Sequence, residues 1–169
     1  MIVVLNGPLG IGKSTLATAL AESIPHCVML DGDHLIAANP RYADEIEHLH
    51  ATLALLISHH RNFGYRHFVI AHIWSSREAL ADLRRRVASL DLDFRCFLLT
   101  LPLEENLRRI QRRAETRALD EREFEQRMVR QEREALAVNP NAELGVPLDV
   151  SAPVSALVAT VRGHLGLSA

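Results

Sequence analysis

The sequence predicts an α/β fold: a three-layer domain built on a five-stranded, doubly wound parallel sheet. Three observations predict it. Short apolar runs rich in β-branched and aromatic residues alternate with longer segments of helical period. The first run passes directly into a glycine-rich turn and then a helical period, the order of a βα unit. The chain has 169 residues with no repeat, low-complexity tract or linker, so residues 1–169 are expected to form a single domain.

Composition narrows the function classes. Hydrophobic residues make up 48% and charged residues 24%, the balance of a soluble globular protein. The net charge of −2 argues against a broad polyanion-binding surface and so against long nucleic acid as a partner. No run approaches the roughly 18 apolar residues of a membrane span, and no secretory leader is evident, so no membrane is expected and a cytoplasmic location is. Two cysteines, Cys27 and Cys96, supply no disulfide framework. Of 19 basic residues, 18 are arginine and one is lysine, Lys13. Its neighbours explain that position.

Ile2 to Leu5 read as a buried parallel strand. Gly7-Pro8-Leu9-Gly10-Ile11-Gly12-Lys13-Ser14-Thr15 follows, and then Leu16, Leu20 and Ile24 at helical spacing. This satisfies G-x-x-x-x-G-K-[ST] in the strand–loop–helix context the motif requires. Glycines let successive backbone N–H groups turn inward around a phosphate, and the helix N-terminus adds partial positive charge there. Gly7, Leu9, Gly10, Ile11, Gly12, Lys13, Ser14 and Thr15 are therefore the candidate nucleotide-binding residues. Lys13 reaches toward the β- and γ-phosphates, and Ser14 is a candidate Mg²⁺ ligand. A GTPase would need an N-K-x-D element; with Lys13 the sole lysine, none exists. The short chain leaves little room for motor or transporter machinery, which favours a small kinase using ATP and Mg²⁺.

A second strand, Cys27 to Leu30, runs into Asp31-Gly32-Asp33-His34. Ligands of open α/β sheets bind at the carboxyl ends of strands, and carboxylates two apart on an extended segment face one way. One carboxylate can hold the Mg²⁺ water shell while the other orients an acceptor hydroxyl or takes its proton. A solvated turn with an Asp helix cap would use the same residues.

Together, the Gly7–Thr15 loop and Asp31-Gly32-Asp33-His34-Leu35 resemble the small P-loop kinases of the shikimate, gluconate and adenylylsulfate kinase group. Leu30 to Pro40 is also similar to the corresponding stretch of chloramphenicol phosphotransferase. The resemblance implies a P-loop NTPase fold with an Arg-bearing helical lid at about 112–121. It also implies Mg²⁺ support by Asp31 and a catalytic base at Asp33.

The remaining elements follow in order. A helix is expected from Ala43 to Asn62, and a buried strand over Phe68–Ile73. His72 stands near the end of that strand, where many P-loop enzymes carry an acidic residue; a lone histidine there is more often structural. A helix from about Ser76 to Ala88 carries Arg84, Arg85 and Arg86, read as a solvated face. Phe94 to Thr100 is the fourth strand. Asn106 to Ala118 places arginines in doublets on one helical face. By resemblance, Arg109 stacks on adenine, Arg113 and Arg117 are the catalytic lid arginines, and Val150 to Pro153 lie beside the adenine ring. Asp120 with Glu123 reads as a capping box for a helix to about Ala137. In that helix Arg130 or Arg133 is a candidate contact for an anionic acceptor. Val146 to Val150 is the last strand. The histidine pairs His48/His50 and His59/His60 lack zinc-helix spacing.

The predicted activity is transfer of the ATP γ-phosphoryl group to a hydroxyl of a small molecule. The alternatives are a nucleotide or polynucleotide 5′-hydroxyl kinase, or a non-catalytic ATP-binding switch.

Overall fold

The computed structural model describes residues 1–90, 93–113, 119–138 and 143–167, with backbone alone at 113 and 119–123. The strands are β1 (Ile2–Asn6), β2 (Cys27–Asp31), β3 (His67–His72), β4 (Phe94–Thr100) and β5 (Val146–Asp149). They form one parallel sheet in the order β2-β3-β1-β4-β5. Central β1 is buried along its whole length, so its strand alternation feeds two cores. Val3 and Leu5 pack with α1 (Lys13–Glu22) and α7 (Val154–His164). Ile2 and Val4 pack with α3 (Glu45–Asn62) and α4 (Arg77–Val87). The result is the predicted three-layer P-loop NTPase architecture.

Local capping sets the helix starts. The Asp44 carboxylate accepts the Glu47 N–H at 2.9 Å, so the helix expected from Ala43 begins at Glu45. Ser76 Oγ accepts the Ala79 N–H at 3.1 Å and α4 begins at Arg77. The third strand ends at His72, one residue short of the expected Ile73.

Three expectations are corrected. Asp31 and Asp33 do not share an extended segment. The strand stops at Asp31, whose Oδ1 accepts the Asp33 N–H at 3.0 Å and caps the short helix α2 (Gly32–Leu35). The cap and the functional pair are thus the same residues. The helix α6 (Leu119–Ala137) begins one residue ahead of Asp120, which therefore lies in its first turn instead of capping it. The Arg84–Arg86 run is not uniformly solvated, because Arg86 donates to Asp82 at 2.7 Å and pairs with Glu47, joining α4 to α3. The expected lid lies between α5 (Leu103–Arg113) and α6; its residues 114–118, Arg117 among them, and the Arg113 side chain fall outside the described residues.

The carboxyl ends of β1, β2 and β3 carry the loop, the acidic pair and His72. Asn6, fully buried at the tip of β1, fixes this edge. Its Nδ2 donates to the carbonyls of Trp74 at 2.9 Å and Leu144 at 3.1 Å, and its Oδ1 accepts the Trp74 N–H at 2.8 Å. One side chain so ties the root of the loop to the segments after β3 and before β5.

Candidate nucleotide and acceptor site

Residues Gly7 to Gly12 form the loop between β1 and α1. Gly10 and Gly12 have φ of +73° and +108°, which side chains disfavour. At Gly10 space also decides: a Cβ there would lie 2.4 Å from Ile110 Cγ1 on α5. The close approach lets Asn106 Nδ2 donate to the Leu9 carbonyl at 3.1 Å. Lys13 is nearly buried, and its ammonium lies across the loop, donating to the carbonyls of Gly7 at 2.9 Å and Pro8 at 3.1 Å.

Two helices distant in sequence brace this loop. Arg109 on α5 donates from one guanidinium nitrogen to the Ile11 carbonyl at 3.0 Å and from the other to the Val150 carbonyl at 2.8 Å. The two residues assigned to the adenine by resemblance are thereby in contact. They line a cavity of 490 Å³ with Gly12, Thr15, Pro153 and Leu157. Glu132 on α6 was not anticipated: its Oε2 accepts the Leu9 N–H at 2.5 Å. Burial raises the pKa of this carboxyl above the usual range, with the Leu9 N–H and Lys13 opposing. No sequence signal marked Glu132, one of many glutamates on a mixed-charge helix.

A second cavity, of 280 Å³, is lined by Lys13, Ser14, Asp31, Asp33, His34 and Glu125 with Leu9 and the loop glycines. The Ser14 hydroxyl donates to Asp31 Oδ2 at 2.7 Å. Two hard oxygens side by side fit Mg²⁺, an ion held by one or two protein groups while waters and phosphates complete its shell. No group of three or more His, Cys, Asp or Glu with metal-binding geometry occurs among the described residues.

Asp33 is more than half exposed, but one oxygen is held from behind. His72 Nδ1 lies 2.8 Å from Asp33 Oδ1, and the buried imidazole packs edge-on against Trp74. The hydrogen bond to His72 is the main cause holding the Asp33 carboxyl below its ordinary pKa; burial opposes it, and the charges of His72, Lys13 and His34 reinforce it. Gly32 makes the approach possible, since a Cβ there would sit 2.7 Å from His72 Cβ and Cγ. Thus the histidine expected to be structural touches the acidic pair. Behind it, the Trp74 indole donates to His50 Nε2 at 2.9 Å, and His50 Nδ1 meets Asp82 Oδ2 at 2.8 Å. Of the proposed acceptor arginines, Arg133 is turned away, donating to the Leu101 carbonyl at 2.9 Å, and Arg130 is exposed.

A family model described as AAA domain matches residues 2–137. Among solved structures, the chain is similar to the tunicamycin resistance protein of Deinococcus radiodurans at 17% identity and a TM-score of 0.68, covering 99% of this chain and 96% of that one. It is similar to a gluconokinase from Sinorhizobium meliloti 1021 at 18% identity and a TM-score of 0.69, covering 97% and 94%. It is also similar to shikimate kinase from Bacteroides thetaiotaomicron at 14% identity and a TM-score of 0.67, covering 99% of both chains. No curated protein sequence matches. At these identities the likeness establishes a P-loop kinase-like fold, shared with the group the loop and acidic pair resemble.

Proposed function

This chain belongs to the AAA domain family, and on that premise we propose that it is an ATP-dependent kinase acting on a hydroxyl of a small molecule. The observation that carries the reading is one cavity lined at once by Lys13 and the phosphate loop and by the Asp33 carboxylate backed by His72. A phosphate loop serves many reactions; a carboxylate poised beside it, with room for a small molecule, suits phosphoryl transfer to an alcohol.

In this reading the loop amides of Gly10, Gly12, Lys13 and Ser14 and the Lys13 ammonium hold the ATP phosphates, while the Leu9 N–H stays on Glu132 and the Ile11 N–H on the Pro8 carbonyl. Arg109, Val150 and Thr15 border the cavity that receives the base. Ser14 and Asp31 hold Mg²⁺, which when bound offsets charge on the β- and γ-phosphates. Asp33 accepts the acceptor's hydroxyl proton as the oxygen–phosphorus bond forms. The bond from the γ-phosphorus to the bridging oxygen breaks, and ADP leaves with that electron pair. His72 keeps Asp33 ionised and aimed. Arg113 and Arg117 are assigned to the lid on the resemblance alone.

The test is ATP consumption with Mg²⁺ across a panel of hydroxylated small molecules, comparing wild type with Asp33→Asn. Acceptor-dependent turnover that falls by about 100-fold or more in the variant, with ATP binding kept, supports the kinase. ATP binding with no turnover on any acceptor, unmoved by the substitution, refutes it in favour of a nucleotide switch.

A further inference from the structure

Peptides of the phosphate loop are gripped from outside by side chains of α5 and α6. Glu132 Oε2 on α6 accepts the Leu9 N–H at 2.5 Å, and Asn106 Nδ2 on α5 donates to the Leu9 carbonyl at 3.1 Å. Arg109 likewise donates to the Ile11 carbonyl at 3.0 Å. The loop's peptide units are planar and trans, so C=O and N–H point opposite ways and fixing one aims the other. The Glu132 bond turns the Pro8 carbonyl away from α6, where it accepts the Lys13 ammonium at 3.1 Å. The Asn106 bond turns the Gly10 N–H away from α5, and the Arg109 bond does the same for the Gly12 N–H. Both glycines line the 280 Å³ cavity. The grip is itself anchored, because Arg133, beside Glu132, donates to the Leu101 carbonyl just ahead of α5. Asn106 is fully buried, and its Oδ1 has no hydrogen-bond partner among the described residues. A leucine would fill that place without an orphaned acceptor, so packing alone does not account for the amide.

Resting on the reading of this loop as the ATP site, we propose that Glu132 and Asn106 are positioning residues for the β- and γ-phosphates. They hold Leu9 from both sides and so preset the Gly10 N–H and the Lys13 ammonium, without touching the nucleotide themselves. Donors already aimed at a ligand need no ordering when it arrives, and that saving appears as affinity. A Leu9 released on either side leaves two peptide planes to be fixed by the nucleotide instead. What Glu132 supplies is an oxygen at the right place. Burial disfavours its charge, but the acceptor survives when the carboxylate is replaced by an amide.

The experiment measures affinity for a non-hydrolysable ATP analogue with Mg²⁺ and for AMP by calorimetry, beside Tm without nucleotide. The ratio of the two affinities reads the β- and γ-phosphate contacts. Glu132→Leu and Asn106→Leu should each weaken the analogue by about tenfold or more, the scale of one lost hydrogen bond, and AMP far less. Glu132→Gln, which keeps an oxygen for the Leu9 N–H, should recover most of that loss. The Tm of Asn106→Leu should stay near wild type, since the orphaned Oδ1 leaves with the donor. Analogue affinity kept in both leucine variants, equal losses in Glu132→Gln and Glu132→Leu, or AMP weakened as much as the analogue overturns the proposal. If a leucine variant does not fold, amide NMR of the wild type decides. On addition of the analogue the Leu9 N–H should stay protected from exchange while the Gly10 and Gly12 resonances shift; protection lost at Leu9 overturns the proposal. Analogue binding without turnover on any acceptor removes the kinase reading and leaves this test intact. A wild type that binds no analogue removes both.

Discussion

Trp74→Phe isolates one buried hydrogen bond. The indole N–H donates to His50 Nε2 at 2.9 Å, and both side chains are almost wholly inaccessible to water. His50 Nδ1 faces the Asp82 carboxylate, an acceptor, so it carries the ring proton and Nε2 is the lone-pair nitrogen. Phenylalanine fills most of the space and offers no donor. An orphaned buried acceptor costs about 1–3 kcal/mol. The lost ring atoms leave roughly 40 Å³, about 1 kcal/mol at ~24 cal/mol per Å³. The expected loss is about 2–4 kcal/mol, which lowers Tm by roughly 4–16 °C for a chain of this size. Reversible thermal unfolding measures it. The same substitution in a His50→Leu background has no acceptor to orphan, so its cost should fall to about 1 kcal/mol or less. A single-variant loss below about 1 kcal/mol, or equal losses in the two backgrounds, would refute the assigned bond.

Two further predictions concern the acidic pair. Gly32→Ala places a methyl 2.7 Å from His72 Cβ, so β3 and α2 must separate. Overpacking of about 1–3 kcal/mol should appear in urea unfolding, and kcat should fall about tenfold or more as Asp33 loses its charge-assisted hydrogen bond. Asp33 has a lowered folded-state pKa, caused first by the hydrogen bond to His72. Its contribution to stability is therefore present above the unfolded value of about 3.9 and is lost as pH falls through the lower folded value. A carboxyl-detected NMR titration should place the wild-type midpoint below the ordinary range and move it upward in His72→Gln; an unmoved midpoint would remove His72 as the cause.

The loop was legible because its constraints are local. Gly10 and Gly12 answer to their own φ angles, and Lys13 and Ser14 follow from the start of α1. The strand runs were legible for the same reason, since burial on two faces leaves a continuous apolar signature in Ile2–Leu5. What brings Glu132 to Leu9, or His72 to Asp33, is the packing of elements 123 and 39 residues apart in sequence. A charged helix with several glutamates offers no periodicity that singles out one. The Asp31–Asp33 geometry was misread because a strand end and a helix cap are both consistent with Asp-Gly-Asp; only the turn at Gly32 against His72 chooses. His50 looked like half of an unpromising zinc pair, while its partners, Trp74 and Asp82, sit on other elements.

The solitary lysine also has a practical meaning for chemical biology. Lys13 is the sole side-chain primary amine in 169 residues, and it lies across the phosphate loop, donating to two of its carbonyls. Acyl-phosphate derivatives of nucleotides and other amine-directed electrophiles therefore find one lysine target, in the loop that the proposed function gives to the nucleotide phosphates. Modification at Lys13, counted apart from that of the Met1 α-amine, becomes an occupancy gauge for that loop, and random amine coupling to a resin or a fluorophore is the immobilisation chemistry to avoid with this chain.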